Sequence, residues 1–179
     1  MCIAWAHLEE GCYTILLYTL HDIEYTAYEL IRNELDLRRA LQVCKAHAVA
    51  NNWAEHSNHI PALVDLIDNE VRNARNRYVH DPITAGVKSY SRQTYATRFR
   101  KTPHRLDVEM YSFADISSDE IYALTRAIRA LESYSGSIIQ YLDWLDGEDP
   151  RDWPYPTMES AQLSAYFAIK EYTHLTTSR

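Results

Sequence analysis

Apolar residues recur three and four positions apart along most of this chain, the spacing of one face of an α-helix. The first such stripe runs through Trp5, Leu8, Cys12, Ile15, Leu16, Leu20, Ile23, Ala27, Leu30 and Ile31, and predicts a helix from about Cys2 to about Arg32. A second helix follows from about Asp36 to Ala50, with Leu37, Leu41 and Cys44 facing inward and Asn51-Asn52 closing it. The third is the best signalled. Ser57 or Asn58 can cap it, Pro61 suits its first turn, and Ile60, Leu63, Val64, Ile67, Val71, Ala74 and Tyr78 form one continuous stripe. Asp81 precedes Pro82, and a residue in that place is pushed out of the α region, so this helix should end near His80.

The pattern then changes. Between Ile83 and Ile116 the aromatic and apolar residues Tyr90, Tyr95, Phe99, Val108, Met110, Tyr111 and Phe113 are interleaved with polar ones, partly with period two, and Thr102-Pro103-His104 suits a turn. Helical spacing resumes behind a capping box, Ser117 to Glu120, and continues through Ile121, Leu124, Ile128, Leu131, Ser135, Ile138, Leu142 and Leu145 to Gly147. Pro150, Pro154 and Pro156 mark an extended connector, and a last helix spans about Met158 to Tyr172. The expected fold is all-α: a single domain over residues 1–179, built as a bundle of four to five helices. A β-hairpin or ordered loop is inserted at about 84–116, and a connector and helix occupy about 148–179.

Composition narrows the class. With 4 glycines and 6 prolines in 179 residues, the chain is neither disordered nor a turn-rich all-β protein. No apolar run approaches the roughly 20 residues that span a bilayer. Glu9 and Glu10 interrupt any signal-peptide pattern, so a cytoplasmic protein with no membrane role is expected. Cys2, Cys12 and Cys44 are odd in number and widely spaced, which suits reduced thiols rather than a disulfide framework or a zinc site. The net charge of −7 is unevenly spread. From Arg72 to Arg105 nine Lys/Arg face the single acid Asp81, a local balance of +8 that leaves −15 on the rest. Such a segment can form an anion-binding surface on an acidic protein, or a solvated hairpin that touches nothing.

At the start of the basic segment lies Arg75-Asn76-Arg77-Tyr78-Val79-His80, closing the third helix. An arginine followed at this distance by a histidine is a weak pattern: with 14 Arg and 8 His, roughly two matches arise by chance, and Arg98 to His104 is another. Context strengthens the first match. Asn76 follows the arginine directly, the pair ends a strongly amphipathic helix, and the chain is a small all-α domain. These features resemble the HEPN family, the higher eukaryotes and prokaryotes nucleotide-binding domains, over roughly residues 1–146, with specificity only in the short motif. In that family an Arg-polar-x-x-x-His motif sits near the end of a late helix. Many members are metal-independent endoribonucleases, often toxins or phage-defence effectors, whose two motifs meet at a dimer interface.

The resemblance implies Arg75, Asn76 and His80 as the catalytic residues, no cofactor, and a homodimer formed through the face carrying Arg75 and His80. It also implies RNA or a nucleotide as ligand, and an antitoxin or regulatory protein as a possible partner. The insertion and the C-terminal arm depart from a minimal member. Arg72, Arg77, Arg98, Arg100 and Lys101 are the expected RNA-binding cations.

The residues themselves suit that chemistry. His80, at a helix C-terminus, can take a proton from a ribose 2′-OH or give one to the leaving 5′-oxygen, and the dipole there favours its protonated form. Arg75 can hold the phosphate while charge develops on it, with Asn76 orienting the histidine or the phosphate. The product would be a 2′,3′-cyclic phosphate. Positions 75 and 80 stand about 140° apart on a regular helix, so one site can use both only in two ways. Either the helix unwinds before His80, as Asp81-Pro82 favours, or two chains face each other across a two-fold axis. The structural alternative is that Arg75 pairs with Asp68 or another acid and His80 caps the helix. A binding module that keeps the motif without cleaving, and a helical interaction partner with no nucleic-acid role, are the other readings. His56 and His59 would need two further ligands to hold a metal, and none is suitably spaced, so no metal site is expected. No Gly-rich phosphate loop, nucleophile elbow or C-x-x-C is present.

Overall fold

The stripe from Trp5 to Ile31 suggests one long helix, but the chain forms two. α1 spans Cys2–Thr19 and α2 spans Tyr25–Glu34. Before α2, Glu24 adopts φ −54° and ψ 139°, an extended conformation that no α-helix passes through. Two tyrosines hold the bend: the Tyr28 hydroxyl donates to the Tyr13 carbonyl and the Tyr13 hydroxyl to the Leu35 carbonyl, each at 2.8 Å. Periodicity misses the break because the apolar phase continues across it. α2 nevertheless buries only Tyr28, and Leu30 is 66% exposed.

The structure is a computed structural model that describes residues 1–20, 24–50, 58–80, 83–85, 90–93, 113–146 and 155–177. α3 spans Leu37–Ala50 and is capped by Asp36, whose carboxylate accepts the Arg39 N–H at 2.8 Å. The third expected helix is a single rod in three parts: α4 (His59–Asp65), a π-helical segment (Leu66–Val71) and α5 (Arg72–His80). Asn58 precedes it without a side-chain capping bond, in αR conformation, and Ser57 lies outside the described residues. The stripe is buried as expected, from Ile60 to Tyr78, with Ala74 packed at its margin.

In the insertion, β1 (Ile83–Ala85), β2 (Tyr90–Gln93) and β3 (Phe113–Ile116) form a three-stranded antiparallel sheet in the order β1-β2-β3. The register pairs Thr84 with Ser91 and Ser91 with Asp115, so the expected single hairpin gains a third strand from the far end of the insertion. The proposed turn at Thr102-Pro103-His104 lies outside the described residues.

α6 runs Ser118–Asp146 behind the capping Ser117, whose Oγ accepts the Glu120 N–H at 3.2 Å. α7 runs Tyr155–Thr177, longer at both ends than the sequence suggests, with Pro156 tolerated in its first turn. Rather than forming an arm, α7 lies along α6, the most extensive helix contact in the fold.

Paired contacts set the directions. α1 runs parallel to α6, since His7 meets Glu132 and Gly11 meets Ser135. The rod runs antiparallel to α6, through His59 with Tyr134 and Tyr78 with Glu120. It is also antiparallel to α3, through Lys45 with Asp65 and Gln42 with Asp68. Between these helices lies one core, in which Leu8, Leu16, Leu41, Leu63, Ile67, Leu124, Leu131, Tyr134 and Met158 are fully buried. Among the described residues no helix is long and apolar enough to cross a membrane.

Candidate functional site

α5 exists because Val71 and Tyr78 are drawn into the core on one side, leaving its other faces to polar residues. With Tyr78 pointing inward, about 100° per residue places Arg75, Val79, Arg72, Asn76 and His80 in turn around an arc of about 140°. Arg75, Asn76 and His80 therefore stand on one continuous strip. α5 stays helical through His80, as Pro82 predicts, so of the two ways for one site to use both residues the helix does not take the unwound one. Arg75 and His80 consequently stand at opposite margins of the strip. The His80 side chain lies outside the described residues, as do Arg98, Arg100 and Lys101.

Arg75 is the best-defined member. Its guanidinium lies over the Trp5 ring, 5.1 Å from the centroid, and one terminal nitrogen donates to the Asn76 Oδ1 at 3.0 Å. A cation over a tryptophan face is worth about 1 kcal/mol, and here the ring is buried, so it fixes the guanidinium plane. Arg75 is half-buried, and its Nε is fully buried with no hydrogen-bond partner. Among the described residues no acid pairs with it. Asp68, the acid named in the structural alternative, is instead engaged by Arg72 at 3.3 Å and by Gln42 at 3.1 Å. Asn76 thus orients the arginine. Arg72 is tied to its own helix, and Arg77 is exposed on the side away from the strip.

Trp5 is the contact that the sequence does not announce. It stands 70 positions before Arg75, on a stripe that marks it only as core, and no local spacing links the two.

The end of α5 is anchored by a buried polar cluster. The Tyr78 hydroxyl donates to Glu120 Oε2 at 2.9 Å, and Tyr172 of α7 is close enough to interact with Tyr78. Burial pushes the Tyr78 phenol far above its ordinary range, and the neighbouring Tyr172 and Glu120 add to the shift. Glu120, 7% exposed, therefore serves Tyr78 with its side chain while its N–H is capped by Ser117. This cluster joins α5, α6 and α7 two residues before the motif ends.

His59 bonds the Tyr134 hydroxyl at 2.7 Å, and His56 lies outside the described residues. Cys12 and Cys44 are buried free thiols whose pKa values are raised by burial, Cys44 to about 11, which makes them unreactive near neutral pH. No family model, characterised protein or solved structure matches the chain.

Proposed function

We propose that the chain is a HEPN-like, metal-independent endoribonuclease. In this reading Arg75 holds the scissile phosphate. His80 takes the 2′-OH proton or returns one to the 5′-oxygen, leaving a 2′,3′-cyclic phosphate. The supporting observation is Arg75: a half-buried cation, immobilised by Trp5 and Asn76, with no acidic partner among the described residues. A charge held that way is completed by an anion from outside. Because α5 is regular through His80, the histidine serving Arg75 belongs to a second copy that meets the first along the strip of Arg72, Arg75, Asn76, Val79 and His80. Val79, 39% exposed at the strip's centre, suits such a contact. The resemblance extends the proposal to a toxin or phage-defence role with an antitoxin or regulatory partner.

The test is cleavage of mixed cellular RNA in the presence of EDTA. Wild type should cut, and Arg75→Ala and His80→Ala should each be inactive while retaining helicity. Mixing the two inactive variants equally makes half the dimers mixed, each with one intact site, so about a quarter of wild-type activity should return. Undiminished cleavage by either variant refutes the mechanism. No recovery on mixing refutes the shared site.

The wide separation of Arg75 and His80 on one regular helix also favours a second reading, RNA or nucleotide binding without turnover. It predicts that Arg75→Ala lowers RNA affinity while neither wild type nor variant cleaves.

A further inference from the structure

The core face of α7 is made by Met158, Ala165, Ile169 and Tyr172. On the opposite side the helix carries a second apolar stripe, Leu163, Tyr166 and Phe167, which are 56%, 43% and 64% exposed. A helix apolar on two sides is ordinarily covered on both. The stripe has opposite charges at its two ends, Glu159 and Lys170, both exposed. At about 100° per residue all five positions lie within an arc of about 100°.

We propose that this stripe is a self-association surface, on which the α7 helices of two copies pair antiparallel about a two-fold axis between positions 164 and 165. The pattern is its own complement under that operation. Glu159 falls opposite Lys170 of the second copy and Leu163 opposite its Tyr166, with Phe167 beside its Leu163, each contact occurring twice. Beside Gln162 lies a groove of about 480 Å³ between α7 and the π segment, floored by Ala62, Leu66, Leu163 and Tyr166. Tyr166 of the second copy, on the same flank of the seam, packs against that groove. Asp65 and Glu70 border it, and Asp65 is already paired with Lys45. Lys170 lies over the Tyr166 ring at 4.6 Å, which presents its ammonium along the stripe rather than away from it.

The surface is separate from the strip carrying Arg75 and His80, and the inference does not rest on the ribonuclease reading. Sedimentation equilibrium of the full chain at concentrations up to about 0.1 mM tests it. Phe167→Glu should abolish association through α7, so that the only dimer left is one that Val79→Glu dissociates. Glu159→Lys or Lys170→Glu alone should weaken it about 10-fold or more, because two-fold symmetry places two like-charge pairs at the contact. The double swap Glu159→Lys/Lys170→Glu should restore it to within about 3-fold of wild type, which no effect on folding alone would produce. A wild type that remains monomeric overturns the inference. So does a dimer that the α7 variants leave intact and Val79→Glu dissociates, a result that would leave the shared ribonuclease site standing.

Discussion

Gly11 lies where α1 presses against α6, and its replacement should change sign with its neighbour. A Cβ at position 11 would meet Ser135 Oγ at 2.7 Å, closer than real Cβ contacts allow, while the next atoms, Ser135 Cβ at 3.5 Å and Ile139 Cδ1 at 3.9 Å, are at ordinary distances. Ser135 cannot swing into solvent, being 1% exposed with its hydroxyl bonded to the Glu132 carbonyl at 2.8 Å. Alanine in a helix interior gains about 1 kcal/mol over glycine, and overpacking a tight seam costs about 1–3 kcal/mol. Gly11→Ala should therefore destabilise by about 1 kcal/mol, lowering Tm by about 2–4 °C. In a Ser135→Ala background the obstructing atom is gone, and the same change should stabilise by about 1 kcal/mol. The coupling is thus about 2 kcal/mol, well above the error of a double-mutant cycle followed by urea unfolding and far-UV circular dichroism. If Gly11→Ala stabilises in both backgrounds, α1 does not press against α6 at Ser135, and the seam that places Trp5 under Arg75 is loose.

Tyr78→Phe removes a hydroxyl donor from the buried Glu120 carboxylate, and should cost about 1–3 kcal/mol in urea unfolding. A loss under about 0.5 kcal/mol would mean that the cluster does not anchor α5. Alkaline pH should unfold the protein. Burial raises the phenols of Tyr13, Tyr28, Tyr78, Tyr134 and Tyr141 above 10.0 and the Cys44 thiol from 9.0 to about 11. The stability they represent is full below the unfolded values and is lost as pH climbs toward the raised ones, because the unfolded chain releases its protons first. Tyrosinate absorbance from this group should appear only together with loss of helical ellipticity, and ionisation with the fold intact would contradict their burial.

What could be read in advance was local. Ser117 and Glu120 announce the start of α6 because the capping partners are three residues apart, and Pro82 announces the end of α5 because a proline constrains its immediate predecessor. The rod's buried face follows from spacing alone, since each of its residues meets the core independently. Features that depend on distant partners were not legible. α1 ends at Thr19 although the apolar phase runs on, because the bend is held by Tyr13 and Tyr28 reaching across it. The third strand pairs Ser91 with Asp115, across an insertion whose alternation suggested one hairpin. At the site, Arg75 and Asn76 stood out by type and order. What holds Arg75 is Trp5, and what deprives it of Asp68 is Arg72 one turn earlier, and both are facts of packing.

The π segment fixes where the motif points. A turn closed from residue i to i+5 holds one residue more than an α turn, so a chain that relaxed to α-helix through Leu66–Val71 would turn everything after it by about 100°. Tyr78 would leave Glu120, Arg75 would leave Trp5, and the motif strip would face a different neighbour. The extra residue is therefore coupled to the site, and the coupling can be tested by deletion. Removing Asn69, which is exposed within the segment, should let the rod become α-helical with residues 72–80 still oriented as they are. Stability should change by less than about 1 kcal/mol. Removing Asn73, equally exposed but beyond the segment, leaves the π turn in place and rotates Tyr78 out of the core. That should cost about 3–5 kcal/mol, the scale of deleting a large buried aromatic. The same composition is lost in both cases, so only the phase of the helix separates them. Equal destabilisation by the two deletions would show that the π segment does not set the orientation of Arg75 and His80.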